Sequence, residues 1–378
     1  MTRAADRPSV VLELHGVRLR LTSTLPQFTD YVAATMQPYV VTSDGPVDVE
    51  SRLDWIDGPP ARSLDAAFSG ASWQRRPDRD LYLDGERLYW LRIDDFTDLH
   101  LSAAWTDGAL SVGGRYYFQI GRAPKTEWIR RLRHRGHLET LRARRFSTLL
   151  YYLVYHPILW RLGRFDGWNV VHGSAVDTPD GALVFLGMPG CGKSTLSVGL
   201  LADPQRTMLS DNIVLFNREQ VLACPEVLLL DSTSLERAAA GAARLVRTGE
   251  RRVYERDAYR PDTVKMDPCR PRAFFCVERA QTTKLERIEV DECARFARAG
   301  NRLAKEVRRI AINSEVYDLL AATSPPDAAH DLEQLLRTAP CYRLAVGQGD
   351  SLESVIAGTM EAELESNSVR GGSGAASG

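Results

Sequence analysis

The run Gly187-Met188-Pro189-Gly190-Cys191-Gly192-Lys193-Ser194 limits what this chain can fold into more than any other stretch. It fits the pattern G-x-x-x-x-G-K-[ST], with apolar Val184-Phe185-Leu186 before it and Thr195-Leu196-Ser197-Val198 after it. That context demands a strand, a tight loop and a helix in immediate succession, and so an α/β architecture. The glycines let the backbone fold where a side chain would forbid it, turning successive N–H groups inward. The helix that opens at Lys193 directs its positive end at the same point. Lys193 adds a cation and Ser194 a hydroxyl able to ligate Mg²⁺. Gly187, Met188, Pro189, Gly190, Cys191, Gly192, Lys193, Ser194 and Thr195 are therefore expected to hold the phosphates of ATP with its Mg²⁺.

Two flanking residues extend this expectation. Asp211 ends a short apolar segment 18 residues after Lys193, at the edge where open α/β sheets bind ligands. A carboxylate there can hold Mg²⁺ alongside Ser194 or accept a proton from an attacking hydroxyl; the bland alternative is a turn residue in Ser-Asp-Asn. His172 precedes Gly173 at the end of another apolar strand, either as an ordinary core histidine or as a group that supports phosphoryl charge. With Lys193 these two form the expected catalytic set. Arg251, Arg252, Arg256, Arg260 and Lys265 lie in a charged segment that reads either as a solvated loop or as one that closes over the phosphates. Glu226 and Asp231 are carboxylates without an assigned purpose.

The chain divides by pattern into four parts. Residues 1–123 read as a strand-rich α+β module for substrate or partner recognition. It has an alternating run at Val10–Leu21, a helix at Leu25–Met36 started by Thr24 and Pro26, and two Asp-Gly hairpins at Asp84-Gly85 and Asp107-Gly108. Residues 124–165 read as a helical connector with a basic run at 130–145, either a solvated helix face or a docking surface for an acidic partner or peptide, followed by Phe146–Leu162, apolar nearly all round and suited to burial at a domain junction. Residues 166–348 read as the phosphate-loop domain. Strands are expected up to Leu230, then an irregular charged segment over 236–268, a core strand at Arg272–Glu278, helices at 291–299, 301–322 and 327–337, and a last strand at Cys341–Val346. Residues 349–378 read as a terminal helix and a Gly/Ser-rich tail.

The six cysteines form no CxxC pair and have no histidine at zinc-finger spacing, so they read as isolated buried thiols of a reducing compartment. A formal charge of −1 gives no steering toward nucleic acid, and no apolar run approaches a membrane span. The N-terminus lacks a secretory pattern, so the expected location is the cytoplasm.

The segment VVHGSAVD, GALVFLGMPGCGKSTLSVGLL, LSDNIVLF resembles the catalytic domain of the HPr kinase/phosphorylase family, and most of all its divergent kinase-related members. His172-Gly173, Gly187 to Ser194 and Asp211 match that family in order and approximate spacing. The resemblance spans roughly residues 168–230, with a weaker echo in RPRAFFCVERA and CYRLAV. It implies the mixed-sheet phosphate-loop fold shared with phosphoenolpyruvate carboxykinases, a serine-kinase type of phosphotransferase, and oligomers of identical chains. Where the family carries two adjacent acids this chain has Asp211-Asn212, and Thr195 stands where an acid is frequent. The resemblance therefore implies a kinase without extending to phosphorolysis or to HPr as acceptor.

The leading functional expectation is ATP-dependent phosphorylation of a hydroxyl, on Ser or Thr of a protein or modified peptide. Two other readings stay open: a kinase of a small hydroxylated metabolite, and a nucleotide-gated regulatory protein with slow ATPase activity. A dinucleotide oxidoreductase is disfavoured, since no G-x-G-x-x-G follows a strand.

Overall fold

The computed structural model describes residues 7–42, 45–59, 73–76, 80–91, 93, 96–119, 138–224, 226–253, 256–321, 327–347, 350 and 355. The fold is mixed α/β, with parallel and antiparallel strand pairs in the same sheets. The chain divides into two compact units, residues 1–166 with 312–325, and residues 167–311 with 326–378. Among the described residues no helix is long and apolar enough to cross a membrane.

The first unit is built on a nine-stranded sheet. Its strands are β1 (Ser9–Leu14), β2 (Val17–Ser23), β3 (Val40–Val41), β4 (Val49–Asp57), β5 (Gln74–Arg76), β6 (Leu81–Asp84), β7 (Arg87–Trp90), β8 (Leu99–Thr106) and β9 (Ala109–Phe118), in the order β3-β1-β2-β4-β9-β8-β7-β6-β5. The alternating run Val10–Leu21 is two strands rather than one. His15 and Gly16 adopt φ of 51° and 84°, the left-handed pair that closes a tight hairpin between β1 and β2. Asp107-Gly108 closes β8 to β9 in the same way, with φ of 53° and 80°. At the other Asp-Gly, Asp84 is still paired with Arg87, so the turn is centred one residue later, on Gly85-Glu86. Strand β4, not anticipated from the sequence, runs parallel to both of its neighbours. Helix α1 spans Pro26–Thr35. Ser23 supports its start by accepting from the Leu25 N–H at 2.9 Å, while Thr24 accepts from Trp55 N–H instead.

A continuous helical rod follows, made of α2 (Leu138–Leu150), a π turn (Tyr151–Tyr155) and α3 (His156–Asp166). Pro157 cannot donate to the Leu153 carbonyl and crowds it, which accounts for a widened turn directly before it. Leu153 packs on Gly114 of β9, where an added Cβ would meet its methyl at 3.0 Å. Phe146 meets Phe28 at 5.5 Å and Trp160 meets Trp105 at 5.4 Å. The part of the basic run at 130–137 lies outside the described residues. In the remainder, Arg142 is bound to Asp57 at 2.7 Å.

The second unit holds β10 (Asn169–Thr178), β11 (Gly181–Leu186), β12 (Thr207–Ser210), β13 (Ile213–Phe216), β14 (Val221–Leu222), β15 (Leu228–Leu230), β16 (Leu245–Val253), β17 (Arg256–Pro261), β18 (Pro271–Ala280), β19 (Lys284–Ile288) and β20 (Cys341–Gly347). Its main sheet runs β14-β13-β10-β11-β18-β20-β19, with β12 also on β10. Strands β10 and β11 form an antiparallel hairpin, and β11, β18 and β20 are mutually parallel neighbours. The helices are α4 (Lys193–Leu200), α5 (Ser232–Arg237), α6 (Ala239–Ala242), α7 (Val290–Leu303), α8 (Lys305–Asp318, whose end belongs to the first unit) and α9 (Ala328–Leu336). Alternate residues of the central strands feed two cores. Val184, Leu186, Phe274 and Cys276 pack with Ala294 and Ala297 of α7 and Leu332 of α9. Leu183, Phe185, Phe275 and Val277 pack with Leu196 and Val198 of α4, and the Phe185, Phe275 and Tyr342 rings stack in series.

Two expectations are corrected here. The segment 236–268 is not irregular: it holds α6 and the hairpin β16-β17, which joins β15 in a three-stranded sheet. Its arginines and glutamates hide the alternation that marks a strand, and β19, KLERI, escapes for the same reason. The cysteines are free and buried but not all isolated, since Cys276 Sγ lies 3.2 Å from Cys293 Sγ. Of residues 349–378 only Asp350 and Val355 are described, so the expected terminal helix and tail lie outside the described residues.

Candidate active site

Strand β11 ends at Leu186, in the middle of the sheet, and the chain turns sharply over its carboxyl end. Gly187 has φ of 142° and passes so close to β18 that an added Cβ would sit 2.5 Å from the Val277 carbonyl. Gly190 and Gly192 take φ of 80° and 106°, and Gly192 caps α4. Only glycine reaches this combination at little cost. Met188 stands exposed on the outer rim, Cys191 is buried beneath the loop, and Thr195 continues the first turn of α4 with Ser194. A buried hydrogen bond of 2.8 Å between Ser174 of β10 and Ser197 fixes that helix on the sheet.

Lys193 is buried and turned back under the loop. Its Nζ donates to the carbonyls of Gly187 at 3.0 Å and Met188 at 2.9 Å, lies 3.6 Å from Cys191 Sγ, and meets His172 Nε2 at 3.1 Å. Burial lowers its pKa, against the opposing pull of Cys191 and Asp211. His172 projects from β10, and its Nδ1 lies 2.9 Å from the Asn212 carbonyl oxygen. A carbonyl only accepts, so Nδ1 carries the proton and Nε2 offers its lone pair to the lysine. Burial, reinforced by the Lys193 charge, depresses the imidazole pKa to about 4. His172 is therefore neutral at physiological pH in a fixed tautomer.

Asp211 follows β12 and is buried at 7% exposure. Its Oδ2 accepts from the Ser194 hydroxyl at 2.9 Å, while its Oδ1 has no hydrogen-bond partner among the described residues. Burial raises the carboxyl pKa, countered by Ser194 and by the Lys193 charge. Asn212 takes the left-handed conformation, φ 69°, and its amide donates to Glu226 at 2.8 Å. One turn thus presents a carbonyl to His172 and a carboxylate to Ser194. His172, Lys193, Ser194 and Asp211, singled out along 40 residues of sequence, form one contiguous group.

The remaining anticipated cations stand elsewhere. The side chains of Arg251 and Arg252 lie outside the described residues. Lys265 is bound to Asp177 at 2.9 Å, and Arg256 reaches Asp231 at 4.0 Å. Asp231 caps α5 by accepting from Ser234 N–H. The helix expected at 291–299 is α7, which runs Val290–Leu303 and to which the sequence assigned no part in the site. Asn301 accepts from the His172 backbone N–H at 2.7 Å, and Gly300 lies so near the loop that an added Cβ would be 2.8 Å from the Gly187 carbonyl. The glycine within an otherwise helical run was the available sign of a close approach.

The donor set fits Mg²⁺: Ser194 Oγ and a buried carboxylate with one unpartnered oxygen are hard ligands, and Mg²⁺ characteristically takes few protein ligands and completes its shell with phosphate and water. Among the described residues no three His, Cys, Asp or Glu side chains gather as a metal-binding group. In comparisons with known proteins, no family model matches the chain and no curated protein matches it.

Proposed function

We propose that the second unit is an ATP-dependent kinase that transfers the γ-phosphate to a hydroxyl, on Ser or Thr of a protein or peptide. The observation that carries this reading is the Ser194–Asp211 hydrogen bond beside a phosphate-type loop, with the second Asp211 oxygen unpartnered. A loop Ser and a nearby carboxylate also hold Mg²⁺ in nucleotide-hydrolysing proteins, so the pair supports phosphate chemistry and the acceptor is decided by the test below. The mixed sheet and the β10–β11 hairpin agree with the resemblance to HPr-kinase-related proteins.

In this reading the loop amides and the start of α4 bind the phosphates. Ser194 and Asp211 would hold Mg²⁺, whose contribution is to neutralise charge on the phosphate oxygens. Asp211 takes the proton of the acceptor hydroxyl as its oxygen bonds to the γ-phosphorus and the bond to the ADP oxygen breaks. Lys193 leaves its carbonyl partners for the phosphates, and His172, fixed by Asn212 and Asn301, keeps the amine on their side of the loop.

The first unit is assigned to acceptor recognition. One face of its sheet carries a trough of about 370 Å³ with Arg20 and Arg52 on one side, Arg87 and Tyr89 on the other, and small residues such as Ser102 and Gly113 between them. Glu50 also lines it and pairs with Arg20 at 3.3 Å, and Arg52 pairs with Asp54 at 2.6 Å, so the trough carries charge of both signs.

The test is incubation with γ-labelled ATP, Mg²⁺ and panels of Ser/Thr peptides and hydroxylated metabolites, followed by mass spectrometry of the acceptors. Label on a peptide supports the proposal. Label on a metabolite alone moves the activity to small-molecule phosphorylation. ATP binding with no transfer to any acceptor overturns it.

A further inference from the structure

A cleft of about 420 Å³ opens beside the loop, and its lining includes Cys191, whose Sγ lies 3.6 Å from Lys193 Nζ. Gly192 and Thr195 form one wall, Asp231, Thr233 and Arg237 of the α5 region another, and Arg279 of β18 a third. His172, Lys193, Ser194 and Asp211 are not among its walls. We propose that this cleft receives the nucleoside end of the bound triphosphate. The proposal rests on the reading of Gly187–Ser194 as a phosphate cradle.

The direction follows from the order of the side chains. Lys193 and the Ser194–Asp211 pair mark where the terminal phosphates and the acceptor meet. In an in-line transfer the leaving diphosphate points away from the acceptor. The next residue of α4 on that path is Thr195, and it opens into the cleft. The volume falls within the roughly 300–1,000 Å³ of small-molecule sites.

The lining has the chemistry a nucleoside monophosphate unit requires. Arg279 shares the sheet face of Val277, the face covered by α4, and has no hydrogen-bond or ion-pair partner among the described residues. Arg237 is exposed, and its one hydrogen bond is a long contact of 3.4 Å to the Asp350 carbonyl. Guanidinium groups both neutralise phosphate and stack on planar bases. Thr233 offers a hydroxyl, and Asp231 a carboxylate held in place by its cap to Ser234, for the sugar hydroxyls.

The experiment is calorimetric titration of the full chain with Mg²⁺-ATP and, separately, with Mg²⁺-tripolyphosphate, which has the phosphates and no nucleoside. Wild type is expected to bind ATP at least about tenfold more tightly than tripolyphosphate. Thr233→Trp, which fills the cleft, should bring ATP affinity down to that of tripolyphosphate and leave tripolyphosphate unchanged. Arg237→Ala, on the exposed side of α5, should weaken ATP about threefold or more without changing tripolyphosphate, and serves if tryptophan disturbs α5. Equal affinity of wild type for the two ligands overturns the proposal, as does a folded variant that binds ATP like wild type. In both cases tripolyphosphate binding would leave the cradle itself standing. Failure of both ligands to bind would remove the cradle and the cleft assignment together.

Discussion

Lys193 Nζ and His172 Nε2 meet at 3.1 Å, and that contact ties the phosphate-type loop to the strand before it. Because the histidine is neutral with its proton on Nδ1, it can only accept from the amine, and the bond has one polarity. The lysine is thereby held without a carboxylate partner, so its charge is not cancelled at the point where phosphate would arrive.

Asp211→Asn tests the base. Asparagine can still accept from Ser194 through its amide oxygen, so the fold and the loop should persist. Phosphoryl transfer is expected to fall at least about 100-fold, with affinity for ATP measured without Mg²⁺ changed about threefold at most. Labelled-ATP assays and calorimetry on the same preparation separate the two effects.

His172 makes stability depend on pH. Its folded pKa is about 4 against an ordinary 6.5, so the unfolded chain takes up a proton between those values while the folded chain does not. Stability is complete above pH 6.5 and falls as pH drops toward 4, by roughly 3 kcal/mol at most from this group. Urea unfolding at pH 5 and 7 should show the difference, and His172→Asn should flatten it.

Gly300→Ala probes the close approach of α7 to the loop. The new methyl would sit 2.8 Å from the Gly187 carbonyl, a backbone atom that cannot yield without moving the cradle. A loss of about 1–3 kcal/mol is expected, with weaker ATP binding alongside it. Thermal unfolding with and without Mg²⁺-ATP measures both, and an unchanged melting temperature would argue against the contact.

Asn212→Asp would restore the paired acids of the resembled family. Here it should destabilise by about 1–3 kcal/mol, because the Asn212 amide donates to Glu226 at 2.8 Å and a carboxylate there would face another. Glu226→Gln should recover most of the loss, and a double-mutant cycle by chemical denaturation gives the coupling directly.

The order of elements from β10 to β13 was legible because each carries its own signal: short continuous apolar runs in the strands, Pro179-Asp180 in the turn, and the glycines and Lys193-Ser194 in the loop. The site residues in that stretch lie close in sequence, so spacing alone grouped them. Asn301 was not legible, because its bond to His172 spans 129 residues and an asparagine in a helix announces no partner. The β16–β17 hairpin was not legible because its strands, LVRTGERRV and RDAYRP, are rich in charge and show no period-two alternation of hydropathy. The turn at His15-Gly16 was hidden because His-Gly is not one of the Asn-Gly or Asp-Gly pairs that announce a tight hairpin.

The β10–β11 hairpin also has a consequence for synthesis. Lys193 lies 21 residues from His172, and Ser194 lies 17 from Asp211, so the hydrogen-bonded group is encoded in one short stretch. Contacts so local close quickly and early. The helix that braces them, through Gly300 and Asn301, leaves the ribosome much later. A nascent chain cut short before α7 would carry all four side chains without the support that fixes the histidine, so their arrangement is complete only once that helix docks.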